Sequence, residues 1–287
     1  MTTVTIKGVE YRIPDHLDLP PSEGAITEPG FFKEWPGHLD LPSEDPSMAV
    51  NFQEPPQTTM LTDTLHPRLV EVYGEDNFAV GANNFLYWRL TEPVLDGCKA
   101  PDWFLVPGVR ATLDGAARRS YVLWRELQIP LLIAEYVSGA GTEERDATPN
   151  RGKFWVYERA VRAPYYVIHD GFRGTLEVWH LADTPEGQRY RPVAPNAHGR
   201  YPIPELRIEL GLWHGRFQGA ETAWLRAWDA GTGRLLPTSE ERAEAERQRA
   251  DLAERTLESA QAGLDAEREK VRLLRERLRA AGIDPDA

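Results

Sequence analysis

The chain has 287 residues, 41% of them hydrophobic and 10% aromatic, which suits one core of ordinary domain size with appendages better than two full domains. Its single cysteine, Cys98, excludes an intramolecular disulfide and makes a structural zinc site untenable. The formal net charge of −12 argues against extensive binding to nucleic acid, but the charge is unevenly spread. Residues 1–62 carry 3 basic and 10 acidic side chains, and residues 238–287 carry 10 and 13. The stretch 63–237, with 20 and 22, is nearly neutral and has room for a small, salt-sensitive basic face. The opening residues MTTVTIKGVEYRIP lack the apolar run of a signal peptide, and no later stretch is long and apolar enough to cross a bilayer. A reducing, cytoplasmic location is the expectation.

Residues 1–61 are broken by Pro14, Pro20, Pro21, Pro29, Pro36, Pro42, Pro46, Pro55 and Pro56. Proline removes a donor and turns the preceding residue away from helix, so this segment reads as an extended proline-rich arm with few regular elements. It is either a poorly ordered leader or a strap whose Phe31, Phe32 and Trp35 anchor it to the body or to a partner. Residues 64–73 predict a short helix whose start is confined by Pro67. Apolar, β-branched and aromatic runs at 78–82, 84–88, 103–108, 121–124, 130–137, 165–170 and 175–182 predict strands. Between two of them, residues 152–161 (GKFWVYERAV) group Phe154, Trp155, Tyr157 and Val161 on one helical face, with Lys153, Glu158 and Arg159 polar. Strands with an intervening helix indicate an α/β or α+β body, residues 62–237, around a central mixed sheet. Residues 238–287 differ in kind. Thr238-Ser239-Glu240-Glu241 starts a helix with a capping box, and no proline follows until after Ala281. Leu257, Leu264, Val271 and Leu278 recur every seven residues, with Ala260, Leu274 and Ala281 at the companion position and Glu267 breaking that series. Such a seam suits a short coiled coil and a homo-oligomer, most simply a dimer; the alternative is a single solvated helix laced with Glu–Arg pairs.

Several chemistries lack their residues. No GxSxG elbow, GxxxxGK phosphate loop or strand-linked GxGxxG occurs, and the seven histidines show no metal-ligand spacing. His169 and His180 fall within predicted strands and read as structural. A carboxylate constellation remains. Asp102 immediately precedes the apolar run Trp103–Val106, and Glu135 interrupts Leu131–Val137. A carboxylate in so apolar a run is costly unless a cation compensates it. Two such acids at neighbouring strand ends, with a main-chain carbonyl, suit magnesium or manganese, and Lys153 at the next helix start can approach the same point. The plainer alternative has Asp102 capping a turn, Glu135 paired with an arginine and Lys153 solvated.

A set of ordered motifs adds to this. GANNFLYW at 81–88, PDWFLVPGV at 101–109, RSYVLWRE at 119–126, IAEYVS at 133–138 and GKFWVYE at 152–158 are followed by APYYVIHD at 163–170, GLWHGRFQG at 211–219, WLRAWD at 224–229 and GRLLPTSEE at 233–241. In these the chain resembles the Uma-two-type restriction endonuclease family, a branch of the PD-(D/E)XK nuclease superfamily, from about Asn84 to Glu241; its tail, ending LRAAGIDPD, is similar too. The resemblance implies a restriction-endonuclease-like core and metal-dependent hydrolysis of DNA phosphodiesters. It also implies catalytic roles for Asp102, Glu135 and Lys153, with Asp102 and Glu135 as metal ligands. The wider superfamily places a lysine two residues after the acid, where this chain has Val137; the branch supplies it from the following helix, four residues before a tyrosine, as Lys153 and Tyr157 do. Glu71 is a looser acidic candidate. Two departures, Ser138-Gly139-Ala140-Gly141-Thr142 in place of Ser-Pro-Ser-Thr and a longer interval from Asp146 to Lys153, fall in the loop that aims the lysine. They leave open a non-catalytic scaffold that recruits partners.

Overall fold

The computed structural model describes residues 2–13, 35–42, 52–113 and 115–281. The chain divides into two compact units, Met1–Leu236 and Pro237–Ala287. The first begins with a hairpin of β1 (Thr2–Ile6) and β2 (Val9–Ile13), followed by helix α1 (Glu54–Tyr73). Strands β3 (Phe78–Gly81), β4 (Leu86–Tyr87), β5 (Cys98–Lys99), β6 (Trp103–Pro107), β7 (Thr112–Leu113), β8 (Ala116–Ala117) and β9 (Tyr121–Val122) lead to a helical turn, α2 (Leu123–Glu126). Strand β10 (Leu132–Tyr136) precedes α3 (Lys153–Trp155), which continues as a π-wound segment over Val156–Val161. Strands β11 (Tyr165–Asp170), β12 (Thr175–Ala182), β13 (Arg189–Pro192), β14 (Tyr201–Ile203), β15 (Ile208–Phe217) and β16 (Ala220–Asp229) complete the unit. Among the described residues the second unit contains one helix, α4 (Ser239–Ala280).

A six-stranded mixed sheet, ordered β13-β12-β11-β10-β6-β3, lies at the centre, with β10 and β11 parallel and its other neighbours antiparallel. Parallel strands cannot be joined by a tight turn. The chain between β10 and β11 therefore crosses over the sheet, and the helical segment 153–161 is that crossover. Strand β10 is buried along its whole length, as an interior strand with both faces covered must be. On one face, Leu132, Ala134 and Tyr136 join Trp103, Leu105 and Val167 beneath Leu61, Leu65 and Leu69 of α1 and Ile208, Leu210 and Leu225 of the β14–β16 sheet. Each fully buried leucine there contributes roughly 1.5–3 kcal/mol. On the other face, Ile133 meets Phe104, Val156, Tyr157, Val161 and Tyr166. Alternation along β10 puts Glu135 on this second face, under the crossover.

Among the described residues of the amino-terminal region, Trp35 anchors to the body as expected of a strap, but a hairpin and the start of a helix stand where few regular elements were expected. Strands β1 and β2 pair, and Val4, Ile6, Trp35 and Leu41 pack with Tyr87, Val122 and Trp124. Phe31 and Phe32 lie outside the described residues. Helix α1 begins at Glu54, inside the stretch read as arm, because Pro55 and Pro56 occupy its first turn, where the missing N–H is no loss. It runs through Pro67 instead of starting there, and ends at Gly74 (φ 88°), whose N–H donates to Val70 O at 2.9 Å. The Tyr121–Trp124 run is strand only to Val122; the chain then turns through α2 and a left-handed Leu127 (φ 56°). In the second unit the expected capping box forms. Glu241 N–H donates to Thr238 Oγ1 (3.1 Å), and Thr238 N–H donates to the Glu241 carboxylate (2.8 Å). Among the described residues no helix is long and apolar enough to cross a membrane.

Candidate active site

Asp102 and Glu135 are held by adjoining antiparallel strands. Trp103 of β6 pairs with Ala134 of β10, so one step further along the register sets Asp102 beside Glu135. The main-chain N–H of Tyr136 donates to Asp102 Oδ2, fixing that carboxyl to the neighbouring strand. Glu135 has no solvent exposure. Lys153 Nζ donates to its Oε2 at 2.9 Å and the Tyr157 hydroxyl to its Oε1 at 2.6 Å, both short, charge-assisted bonds. The four-residue spacing of Lys153 and Tyr157 turns both side chains toward one carboxylate. The exposed Glu143 also reaches Lys153 Nζ, at 3.4 Å.

The loop before the helical segment aims the lysine. Gly152 packs so closely that a Cβ there would sit 2.1 Å from Asp146 O. Phe154 N–H donates to Asp146 O (3.0 Å), while Asp146 Oδ1 accepts from Thr148 N (2.8 Å) and Oγ1 (2.6 Å). The longer interval is therefore folded back onto the helix start. The following π turn, Val156–Val161, keeps Tyr157 buried over the sheet; such turns recur at functional sites.

Electrostatically the site holds more buried acid than base. Burial, reinforced by the Glu135 charge, pushes the Asp102 carboxyl up to about 9, with Lys153 acting the other way and Glu54 adding a further upward push. Burial alone would lower Lys153, but the charges of Glu135 and Asp102 outweigh it and hold the ammonium protonated. Lys99 of β5 is lowered, first by burial and then by Lys153. Glu54 was not found from the sequence. It is buried at the first turn of α1, a helix pinned by two hydrogen bonds between Gln57 and Leu225 (2.9 and 2.8 Å) and one from Trp103 Nε1 to Thr62 Oγ1 (2.9 Å). The only sequence signal was a glutamate directly before a Pro-Pro helix start. Glu71, the looser candidate, stands instead in the last turn of α1, exposed and within 3.2 Å of Arg68 and 3.8 Å of Arg207, and does not join the site.

Among the described residues no group of three or more His, Cys, Asp or Glu is arranged as a metal centre. The two strand-end carboxylates nevertheless suit a hard divalent ion. Their donors are all oxygen, and an ion between them would offset the burial and the Glu135 charge that together raise Asp102. His169 is structural in its setting. Its Nε2 lies 2.9 Å from Ala223 O, and burial lowers it to about 4. His180 packs on the Tyr165 ring at 4.8 Å. Comparison with models of known protein families gave no match, and neither did comparison with curated proteins.

Proposed function

We propose that the chain is a magnesium- or manganese-dependent endonuclease acting on DNA phosphodiesters. The observation that carries this reading is the meeting of Asp102 and Glu135 at adjoining strand ends, with Lys153 on the glutamate. The resemblance of residues 84–241 to the Uma-two-type family supplies the substrate class. Asp102 and Glu135 would hold the ion through oxygen donors. The ion would supply Lewis acidity toward the phosphodiester and the attacking water. The Lys153 ammonium, sharing or leaving Oε2, would face the negative charge that builds on the phosphoryl oxygens. Tyr157, which donates to Oε1, would keep the other glutamate oxygen in place if Lys153 released Oε2 to the ion. Incubating the protein with plasmid, linear duplex and single-stranded DNA, with and without manganese, tests this. Metal-dependent cutting that disappears in Asp102→Asn and Glu135→Gln supports it; undiminished cutting by both variants removes these residues from the reaction.

One observation favours a second reading, a non-catalytic scaffold: Lys153 and Tyr157 already satisfy both oxygens of Glu135. In that case divalent ions leave the protein's stability unchanged and no substrate is cut.

A further inference from the structure

Helix α4 carries an apolar seam with no residue buried along its length. Leu257, Leu264, Val271 and Leu278 are 65%, 57%, 47% and 37% exposed, and Leu274, at the companion position, is 58% exposed. A seam at seven-residue spacing calls for a partner helix, and the residues flanking it decide which one. With Val271 and Leu274 as the two core positions of a heptad, the flanking positions across the C-terminal half are Arg268, Lys270, Arg275 and Arg277. All four are cations. Glu269 and Glu276 stand on the outer face, bridged by Arg272 at 2.8 and 2.7 Å. Within the helix Arg268 pairs with Asp265 (3.5 Å) and Lys270 with Glu267 (3.1 Å). Such exposed pairs are weak and exchange readily.

This pattern opposes a second copy that meets the same C-terminal half in either orientation. In a parallel, in-register pair Lys270 would face Arg275 and Glu267 would face its own counterpart. In an antiparallel pair that sets Leu264 against Leu274, Arg268 would face Arg268 and Lys270 would face Lys270. Like charges across the seam weaken such pairs and redirect the choice of partner.

We infer that the C-terminal half of α4 docks an amphipathic helix of another protein, with acidic flanks, rather than a second copy of this chain. The partner carries leucine or isoleucine on its seam, glutamate or aspartate at the flanks, and a basic residue opposite Glu267. This inference is independent of the nuclease reading. It differs from the homo-oligomer expected from the seam alone, and sedimentation of the full chain decides between the two.

The full chain is titrated with two synthetic helices that share one leucine seam, one flanked by glutamate and the other by lysine, and is sedimented alone. The parent is expected to sediment as a monomer at low micromolar concentration. It should bind the acidic helix at least about tenfold more tightly than the basic one, with affinity falling as salt rises. The variant R268E/K270E/R275E/R277E should reverse that preference. A parent dimer that Leu264→Lys dissolves, equal binding of the two helices, or binding to anionic vesicles but to neither helix would overturn the inference. If the reversed variant proves non-helical by circular dichroism, the salt titration of the parent decides. Affinity for the acidic helix that is indifferent to salt would then overturn it.

Discussion

Lys153→Met deletes the ammonium while keeping the length and the apolar stem of the side chain. Glu135, with no solvent exposure, would retain only the Tyr157 hydroxyl as a donor. Removing one partner of a buried ion pair costs about 3–5 kcal/mol. The Lys153 side chain is 16% exposed, which places the loss near the low end, about 3 kcal/mol, or a fall of roughly 6–12 °C in the unfolding midpoint. The same deletion frees Oε2, so manganese should bind the variant more tightly than the parent. At a hundredfold excess over its dissociation constant, the ion would return about 2.7 kcal/mol. Urea and thermal unfolding of both proteins, with and without manganese, measure these quantities. A variant within about 1 kcal/mol of the parent would refute the view of Glu135 as a charge dependent on its lysine. Manganese stabilising neither protein would refute the metal site.

The remaining expectations concern pH and packing. Burial and Glu135 lift Asp102 from 3.8 to about 9, so the folded protein holds a proton that the unfolded chain sheds. Its contribution to stability is complete below pH 3.8 and is lost as the pH climbs through about 9. Asp102→Asn should therefore gain on the parent across that window; a gap between their urea midpoints that does not change with pH would count against the shift. His169 runs the other way. Burial holds it at about 4 against 6.5, so its contribution is complete above pH 6.5 and is lost, by roughly 3 kcal/mol, as the pH falls through about 4. His169→Gln, able to donate to Ala223 O, should flatten that acid slope, and coincident slopes would place the sensitivity elsewhere. Gly152→Ala should lower the thermal midpoint, because its Cβ would overlap Asp146 O and overpacking costs about 1–3 kcal/mol; an unchanged midpoint would show that the loop yields freely.

The sheet was readable where burial writes itself into a short run. Residues 130–137 and 165–170 became β10 and β11 because interior strands leave few polar positions. The same principle exposed Glu135, since an acid amid five buried positions needs a specific partner, and the lysine four residues before Tyr157 is that partner. The start of α1 was not readable from proline count. Pro55 and Pro56 break a helix from within but favour one from its first turn, and only tertiary placement separates the two cases. Glu54 escaped notice for a related reason: its proximity to Asp102 arises from the docking of α1 on β16 and β6, which no local spacing records. The long hairpin of β15 and β16 turns at Gln218 and Gly219, both with positive φ, yet its residues were read only as family motifs. Nothing in residues 152–161 distinguishes π winding from α, because both bury Tyr157 and Val161.

Calorimetric titration with manganese tests the central claim most directly, using the parent and the Asp102→Asn/Glu135→Gln double variant in two buffers of different ionisation enthalpy. The parent is expected to bind a single ion and release about one proton near neutral pH as Asp102 ionises, and the double variant is expected to bind none. A parent that takes up no ion, or a double variant that binds as well as the parent, would contradict the account.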